Sequence, residues 1–475
     1  MTVREHPDVL IVGAGVVGAA CAYFCAAAGL RVAVLDRGGV AGGTTSGGEG
    51  NILVSDKSPS PELDLALLST RLWGELGERF GPGAFELEHK GGVVVAQSPE
   101  AARGLAVLTA KQRGLGVEAV DVSAAELAEL EPNLTPEVCA GAFYPQDMQV
   151  QPMLAAAELL RAARALGATL HTDTEVLAFR LRDGSVLDGA ALVGGTSARG
   201  AGAALAGAAG NGPASGGRAS AGGAGVGGAG GGAALGGAAG NGPASGGRTP
   251  AGRAGHGSAG PGAARAGSTA EPAALGGVVT NRGEFGARWV VNAAGTWGGP
   301  VSALAGAPIP VLPRRGFVLV TEPLPRVVRH KVYTADYVAN VASGDAGLET
   351  SVVVEGTRAG TVLIGASRER VGFDRQFSLP IVRKLAAQAL GVFPFLADVA
   401  LLRGYFGFRP YCPDHLPVIG VDPRRPGLVH ACGHEGAGIG LAAATGHLIA
   451  QQLTGATPDL DLTPFRADRF SREAV

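Results

Sequence analysis

Neither sign of charge predominates in this chain of 475 residues: 39 Lys and Arg stand against 41 Asp and Glu, a net charge of −2. Such a balance leaves no electrostatic footprint for nucleic acid or an anionic membrane surface, so no nucleic acid partner is expected. Cysteine is scarce too. Cys21, Cys25, Cys139, Cys412 and Cys432 are odd in number and scattered, which suits free thiols in a reducing compartment better than a disulfide framework, and a cytoplasmic location is expected. The nine histidines form no ligand cluster and Cys412-Pro-Asp-His415 is too isolated for half a zinc site, so no metal is expected. A secretory signal is not expected either: MTVREHPD carries mixed charges, and no small-residue cleavage site follows.

What is abundant is apolar surface, at 46% of residues, enough for a sizeable core, and the length suggests two or three domains. Residues 9–30 are uncharged and long enough to meet the ~20-residue criterion for a bilayer span. Gly13, Gly15, Gly18 and Gly29 fall inside that run. A buried strand, turn and helix explains it better, and no transmembrane segment is expected.

Between residues 196 and 274 Gly, Ala, Ser, Pro and a few Arg make up nearly everything, and GAALAGAAGNGPASGGR (202–218) recurs as GAALGGAAGNGPASGGR (232–248). No apolar periodic face accompanies the repeat, so the segment is expected to be a disordered insertion into a surface connection between strands. Elsewhere, period and punctuation predict helices at Pro61–Phe80, Pro99–Arg113, 152–166, 380–390 and 437–453, and strands at 92–95, 317–321, 351–355 and 361–365. Helices and strands alternate at first and strands cluster later, which is a mixed α/β pattern with an additional sheet domain.

The most informative stretch is the first. A short apolar strand from Asp8 to Val12 runs into Gly13-Ala-Gly15-Val16-Val17-Gly18, a small-residue helix, a second strand and Asp36, 21 residues after Gly15. Gly13 permits the tight turn, Gly15 lets backbone approach a pyrophosphate, and Gly18 lets the helix pack on the strand. The helix N-terminus faces the anion, and Asp36 can accept hydrogen bonds from an adenosine ribose. Dinucleotide binding follows from the agreement of these parts. The fingerprint alone does not choose between NAD and FAD.

Four ordered segments carry a resemblance: the fingerprint ending in Asp36-Arg37, the loop Gly43-Thr44-Thr45-Ser46-Gly-Gly-Glu-Gly50-Asn51, the turn Val290-Val-Asn-Ala-Ala294-Gly295-Thr-Trp297, and the C-terminal stretch from Gly407-Phe-Arg409-Pro410 through Gly446. In these the chain resembles the D-amino acid oxidase superfamily of FAD-dependent oxidoreductases, glycine and sarcosine oxidases included. GGEGNILVSDK (47–57) and GHEGAGIGLAAATG (433–446) look most like the β subunits of D-hydroxyproline and opine dehydrogenases and of hydrogen cyanide synthase.

The resemblance implies a Rossmann-type FAD-binding domain with an interleaved α+β substrate domain built on a mainly antiparallel sheet. The expected division is 1–84, 145–195, 275–305 and 403–475 for FAD, and 85–144 and 306–402 for substrate. It also implies noncovalent FAD, held by Gly13, Gly15, Val16, Val17, Gly18, Asp36, Arg37, Thr44, Thr45, Ser46, Gly50, Asn51, Ala294, Gly295, Trp297, Gly433, Gly436, Gly438 and Ile439. Val176 matches the residue whose backbone holds the adenine, with packing as the alternative.

Arg409, in its Gly-x-Arg-Pro motif, is expected to fork onto a substrate carboxylate. Tyr411 and His434 are candidates for hydrogen bonds to substrate or cofactor, with ordinary packing as the alternative. The implied reaction is oxidation of an amino acid or secondary amine to the imine by hydride transfer to flavin N5; it requires no dedicated base, so no Ser–His–Asp or Cys–His set is nominated. The alternative is a noncatalytic FAD-binding subunit. Implied partners are a small amine substrate, iron–sulfur or second-flavin subunits of a hetero-oligomer, and an electron acceptor at a membrane. Within ACGHEGAGIG (431–440) the glycines are expected to carry the function, shaping a turn and a helix N-terminus suited to an anion, while Cys432 is incidental.

Overall fold

The computed structural model describes residues 6–81, 83–187, 273–337 and 347–470. The Gly/Ala-rich segment expected at 196–274 lies, up to residue 272, outside them.

Strand Val9–Val12 is four consecutive buried apolar residues, the pattern of a strand covered on both faces. It pairs in parallel with Val32–Leu35 on one side and Trp289–Asn292 on the other. Thr169–His171 and Leu428–Cys432 extend the parallel sheet, and Val418–Val421 closes one edge in antiparallel sense. Helix Val16–Ala27 makes the crossover, and its buried residues are mostly small, Gly18, Ala19, Ala20, Cys21 and Ala22 among them, for a reason visible in its neighbour. The C-terminal helix Gly438–Thr454 lies across it so closely that a Cβ on Gly446 would stand 2.6 Å from the Ala20 carbonyl carbon and 2.8 Å from the Cys21 nitrogen. Both obstacles are backbone and cannot rotate away. Gly446→Val is therefore expected to lower stability by about 1–3 kcal/mol or more, read as a lower urea midpoint at unchanged m-value.

The second sheet has eight strands. In spatial order they are Leu401–Tyr411, Leu312–Thr321, Val362–Arg368, Glu349–Gly356, Lys331–Thr334, Gly92–Ala96, Ala140–Tyr144 and Val120–Ser123. Every pairing is antiparallel except that of Lys331–Thr334 with Gly92–Ala96. Helix Leu379–Leu390 covers one face, where Ile381 and Leu385 join Phe317, Leu319, Val354 and Ile364. On the other face Tyr333, Val353 and Ala366 belong to the same core as Ile52, Leu63 and Trp73. Alternation along each strand thus divides side chains between a helix layer and the interior where the site lies. A small antiparallel sheet of Val176–Leu181, Val186–Leu187, Leu275–Thr280 and Gly283–Gly286 completes the layers.

This is the expected α/β class with a mainly antiparallel second sheet. Leu401–Tyr411 pairs along its length with Leu312–Thr321, so the second sheet extends as far as Tyr411. The five predicted helices are present at Pro61–Phe80, Pro99–Arg113, Pro152–Ala165, Leu379–Leu390 and Gly438–Thr454. The short helix Ala124–Leu130 was not expected, although Ser123 and Glu126 form its capping box.

Candidate cofactor and substrate site

The fingerprint turn is set by two carbonyls. Gly13 has φ +115°, and a Cβ there would lie 2.9 Å from the Ala293 carbonyl carbon; a Cβ on Gly18 would collide with the carbonyl of Gly13 itself. The helix that starts at Val16 has no acid in its first turn and no cap from Gly15. Its cap comes instead from the distant loop: Val16 N–H donates to Thr45 Oγ1 at 3.0 Å. Val17 packs against the same core. Asp36 stands past the second strand, its Oδ2 accepting from Ala14 N–H at 2.7 Å and its Oδ1 from Gly38 N–H at 2.8 Å. Thr174 N–H donates to the Asp36 carbonyl, which brings the segment leading to Val176 alongside. Val176 itself is buried in the core beneath the small sheet.

The loop of residues 43–51 crosses the other recognised segments at close quarters. Thr44 Oγ1 and Thr296 Oγ1 both donate to the Phe408 carbonyl, at 2.8 and 2.7 Å, tying loop, Ala294-Gly295 turn and Gly-x-Arg-Pro strand at one point. Gly47 and Gly407 pass backbone to backbone, a Cβ on Gly47 falling 2.8 Å from Gly407 Cα. Ser46 Oγ turns back to the Gly43 carbonyl. Gly50 allows contact with Val150, and Asn51 pairs with Gln149 in a two-stranded ladder. Gly295 takes φ +55° beside Thr44. Trp297 is sandwiched, with the Arg37 guanidinium 4.0 Å over its ring and Phe373 stacked at 5.4 Å.

The C-terminal turn leaves strand Leu428–Cys432 through Gly433 at φ +79°. His434 Nε2 lies 2.9 Å from Thr445 Oγ1, whose hydroxyl donates onward to the Leu441 carbonyl, so the imidazole is the donor. Burial pushes its pKa down to about 3, which keeps it neutral. Gly438 starts a helix with no side-chain cap, and Ile439 Cδ1 packs against Gly48. Gly436 faces Arg409, whose Cδ and Nε would be 3.5 Å from a Cβ there. Cys432 is buried beside Gly298, and burial pushes its thiol up to about 12, so it is no nucleophile at neutral pH. Cys432→Ala is expected to keep FAD and activity, losing only about 1 kcal/mol of packing; flavin absorbance and turnover check this.

Arg409 turns inward from the long edge strand. Its Nη1 donates to the Ser367 carbonyl at 2.8 Å, and it forms no salt bridge among the described residues. Tyr411, two residues on, is buried between the guanidiniums of Arg314 and Arg370, at 5.5 and 5.1 Å from its ring centre. Sequence reasoning missed the groups that accompany Arg409. Glu49, 7% exposed, accepts from Asn51 Nδ2 through Oε2, while its buried Oε1 has no hydrogen-bond partner. Burial raises its pKa, opposed by the charges of Lys331 and Arg409. Arg368, 3% exposed, lies 4.8 Å over the Tyr337 ring with its buried Nη1 unpartnered. Lys331 and Glu355 form a buried pair at 2.8 Å beside them. Glu49 carried a signal, an acid inside the GGEGN run read only for its glycines; Arg368, at the end of a β-strand, carried none.

Beneath the loop, Asp147 holds the start of VSDK. It accepts from Val54 N–H at 2.9 Å, from Ser55 N–H at 3.3 Å and from the Ser55 hydroxyl, which also receives the Tyr333 phenol. Burial raises its pKa to about 7 against the opposing hydrogen bonds. The folded state therefore keeps a proton that the unfolded chain releases near 3.8, so stability falls as pH rises from about 4 to about 7 and is level above, by about 4 kcal/mol in all. Asp147→Asn, which keeps the shape and has no charge, is expected to remove that slope. Urea unfolding at pH 5 and pH 8 checks it: the stability of the variant relative to wild type is expected to rise by about 3 kcal/mol between the two.

These residues fit a flavin dinucleotide. A glycine turn with no Cβ opens onto a helix N-terminus free of acid, a carboxylate closes the second strand, and an uncapped second helix begins at the far end of the same loop system. The family described as FAD dependent oxidoreductase, DAO, matches residues 8–220 and 264–452. The chain belongs to this family. FAD is the cofactor of this family. Glycine oxidase from Geobacillus kaustophilus is 28% identical over 473 residues, 97% of each chain. Hydrogen cyanide synthase subunit HcnC from Pseudomonas aeruginosa is 35% identical over 195 residues, a match that spans 41% of this chain and 43% of that relative. The fold matches the crystal structure of the Geobacillus glycine oxidase with a TM-score of 0.71 at 24% identity, covering 98% and 99% of the two chains. It matches L-proline dehydrogenase from P. horikoshii with 0.73 at 19%, covering 100% of both. Among the described residues no helix is long and apolar enough to cross a membrane.

Proposed function

We propose that this family member oxidises an amino acid or secondary amine, of the D-amino acid, D-proline or hydroxyproline, glycine or sarcosine type, to its imine. The observation that carries the reading is Arg409: an inward guanidinium that forms no salt bridge among the described residues, beside the glycine turn at Gly436 and the loop at Glu49. The names of relatives, glycine oxidase and D-amino-acid oxidase, support it.

When bound, FAD supplies the acceptor for the hydride leaving the carbon that bears the amine. The chain's own groups bind and orient. Gly13, Gly15, Gly18, Asp36, Thr45 and the loop to Asn51 hold the dinucleotide, and the helix beginning at Gly438 presents free N–H groups to developing negative charge. Arg409 forks onto the substrate carboxylate, and Glu49 Oε1 accepts from the amine. The walls around them exclude water, which strengthens both contacts. His434, neutral and engaged with Thr445, holds the helix start in place.

The test is anaerobic bleaching of flavin absorbance by D-proline, cis-4-hydroxy-D-proline, sarcosine, glycine, D-alanine and acidic amines. Bleaching by at least one is expected. No bleaching by any would overturn the reading and favour a noncatalytic FAD-binding subunit. We also infer a hetero-oligomer in which iron–sulfur or second-flavin subunits pass electrons on, supported by HcnC being named a subunit. Stoichiometric peroxide from the isolated chain in air would count against it. The five free cysteines support a cytoplasmic location.

A further inference from the structure

One arginine is enough for one carboxylate, yet a second guanidinium without a salt bridge among the described residues, that of buried Arg368, lies beside Arg409. Arg409 and Arg368 are close enough for each guanidinium to bear on the other's charge, and burial together with that repulsion lowers the pKa of Arg409. Arg409 Nη1 is engaged by the Ser367 carbonyl, the residue next to Arg368, so both guanidiniums sit at the end of one strand. Arg368 makes no hydrogen bond or ion pair among the described residues, and its Nη1 is buried without a partner. A buried guanidinium left in that state costs several kcal/mol unless an anion meets it.

The surrounding carboxylates are spoken for. Glu355 pairs with Lys331. Glu435 takes Arg314 and His415, and Arg314 also takes Glu349. Among the described residues around Arg409, Glu49 forms no salt bridge, its one side-chain hydrogen bond comes from Asn51, and the nearby Lys331 charge is shared with Glu355. Neither guanidinium has a carboxylate in salt-bridge contact among the described residues. A monocarboxylic amino acid arriving as a zwitterion brings no net charge. Its ammonium suits Glu49 and its carboxylate, forked onto Arg409, uses both oxygens there, which leaves Arg368 as bare as before.

We propose that the site takes an amine carrying two carboxylates, one held by Arg409 and the second by Arg368, whose guanidinium lies over the Tyr337 ring. The substrate class is an acidic D-amino acid or an N-carboxyalkyl amino acid. This rests on the amine-oxidation reading above and narrows it. Arg368 is the residue that sets the preference.

The experiment compares ligands that differ by one carboxylate, on the FAD-loaded full chain. Malonate against acetate is measured by titration calorimetry, and D-aspartate against D-alanine and iminodiacetate against sarcosine by anaerobic flavin reduction. The dicarboxylate of each pair is expected to bind or react at least about tenfold better, with the gain in KM rather than kcat. Arg368→Gln should abolish the preference and Arg368→Lys should keep part of it, each with flavin content equal to wild type. Equal affinity for malonate and acetate, or a preference untouched by Arg368→Gln, would overturn the proposal. The two readings fail separately: malonate preference without bleaching by any amine removes amine oxidation and leaves the dicarboxylate site, whereas bleaching by D-alanine or sarcosine without malonate preference does the reverse.

Discussion

Arg409→Gln is expected to retain FAD and to lower kcat/KM for a carboxylate-bearing amine by about 10²- to 10³-fold, the cost of removing one partner from a desolvated charge pair. Glutamine cannot present a charged fork, so the loss falls mainly on KM. Arg409→Lys restores the charge as a point without the planar pair of donors, and it is expected to recover only part of the loss. The fold should tolerate both changes, because the guanidinium contributes a single hydrogen bond, to the Ser367 carbonyl, and no salt bridge among the described residues. Flavin absorbance and thermal unfolding serve as controls. Activity within a few fold of wild type would remove Arg409 from substrate binding.

Gly18→Ala is expected to abolish FAD binding and to lower stability by about 3 kcal/mol or more, at the upper end for an overpacked core. The added Cβ would strike the Gly13 carbonyl oxygen, with the Ala293 methyl 3.4 Å away on the other side. Gly13 has no room to withdraw: it holds φ +115° and its own Cα faces the Ala293 carbonyl. The helix must therefore lift off the strand, which carries its N-terminus and the Val16 to Thr45 bond away from the anion site. Gly29→Ala is the control. Its φ is +84° but nothing lies within 4 Å, so only conformational strain is added, about 1 kcal/mol, and FAD should remain. The readouts are flavin per protein and denaturant midpoint; a Gly18→Ala protein fully loaded with FAD would contradict the packing account.

Local chemistry explains why the first strand–helix–strand unit could be read from the chain. Glycines at 13, 15 and 18 and an acid at 36 belong to one strand–helix–strand unit, where spacing translates directly into geometry. Likewise a helix such as Leu379–Leu390 announces itself by its period because one face meets one sheet. The thresholds between domains were less legible. Strand Leu401–Tyr411 carries the arginine motif and looked like the return to the FAD domain, but its ten-position ladder with Leu312–Thr321 places it in the second sheet. No local pattern reports which of two sheets will accept a strand.

The histidine and cysteine of ACGHEGAGIG show the same limit at single residues. Near neutrality an imidazole and a thiol look reactive on paper, yet burial drives one down to about 3 and the other up to about 12. Thr45 was expected to contact the cofactor and also caps a helix 29 residues earlier. Glycine spacing and apolar runs marked the first strand–helix–strand unit as a dinucleotide fold, because they depend on neighbours within about thirty residues, and the order of four motifs along the chain carried the family resemblance and with it FAD. The placement of Glu49, Arg368 and Arg409 in one interior came only with the tertiary structure, since they are brought together from three segments more than 300 and about 40 residues apart, and desolvation, which sets their chemistry, exists only once those segments have packed.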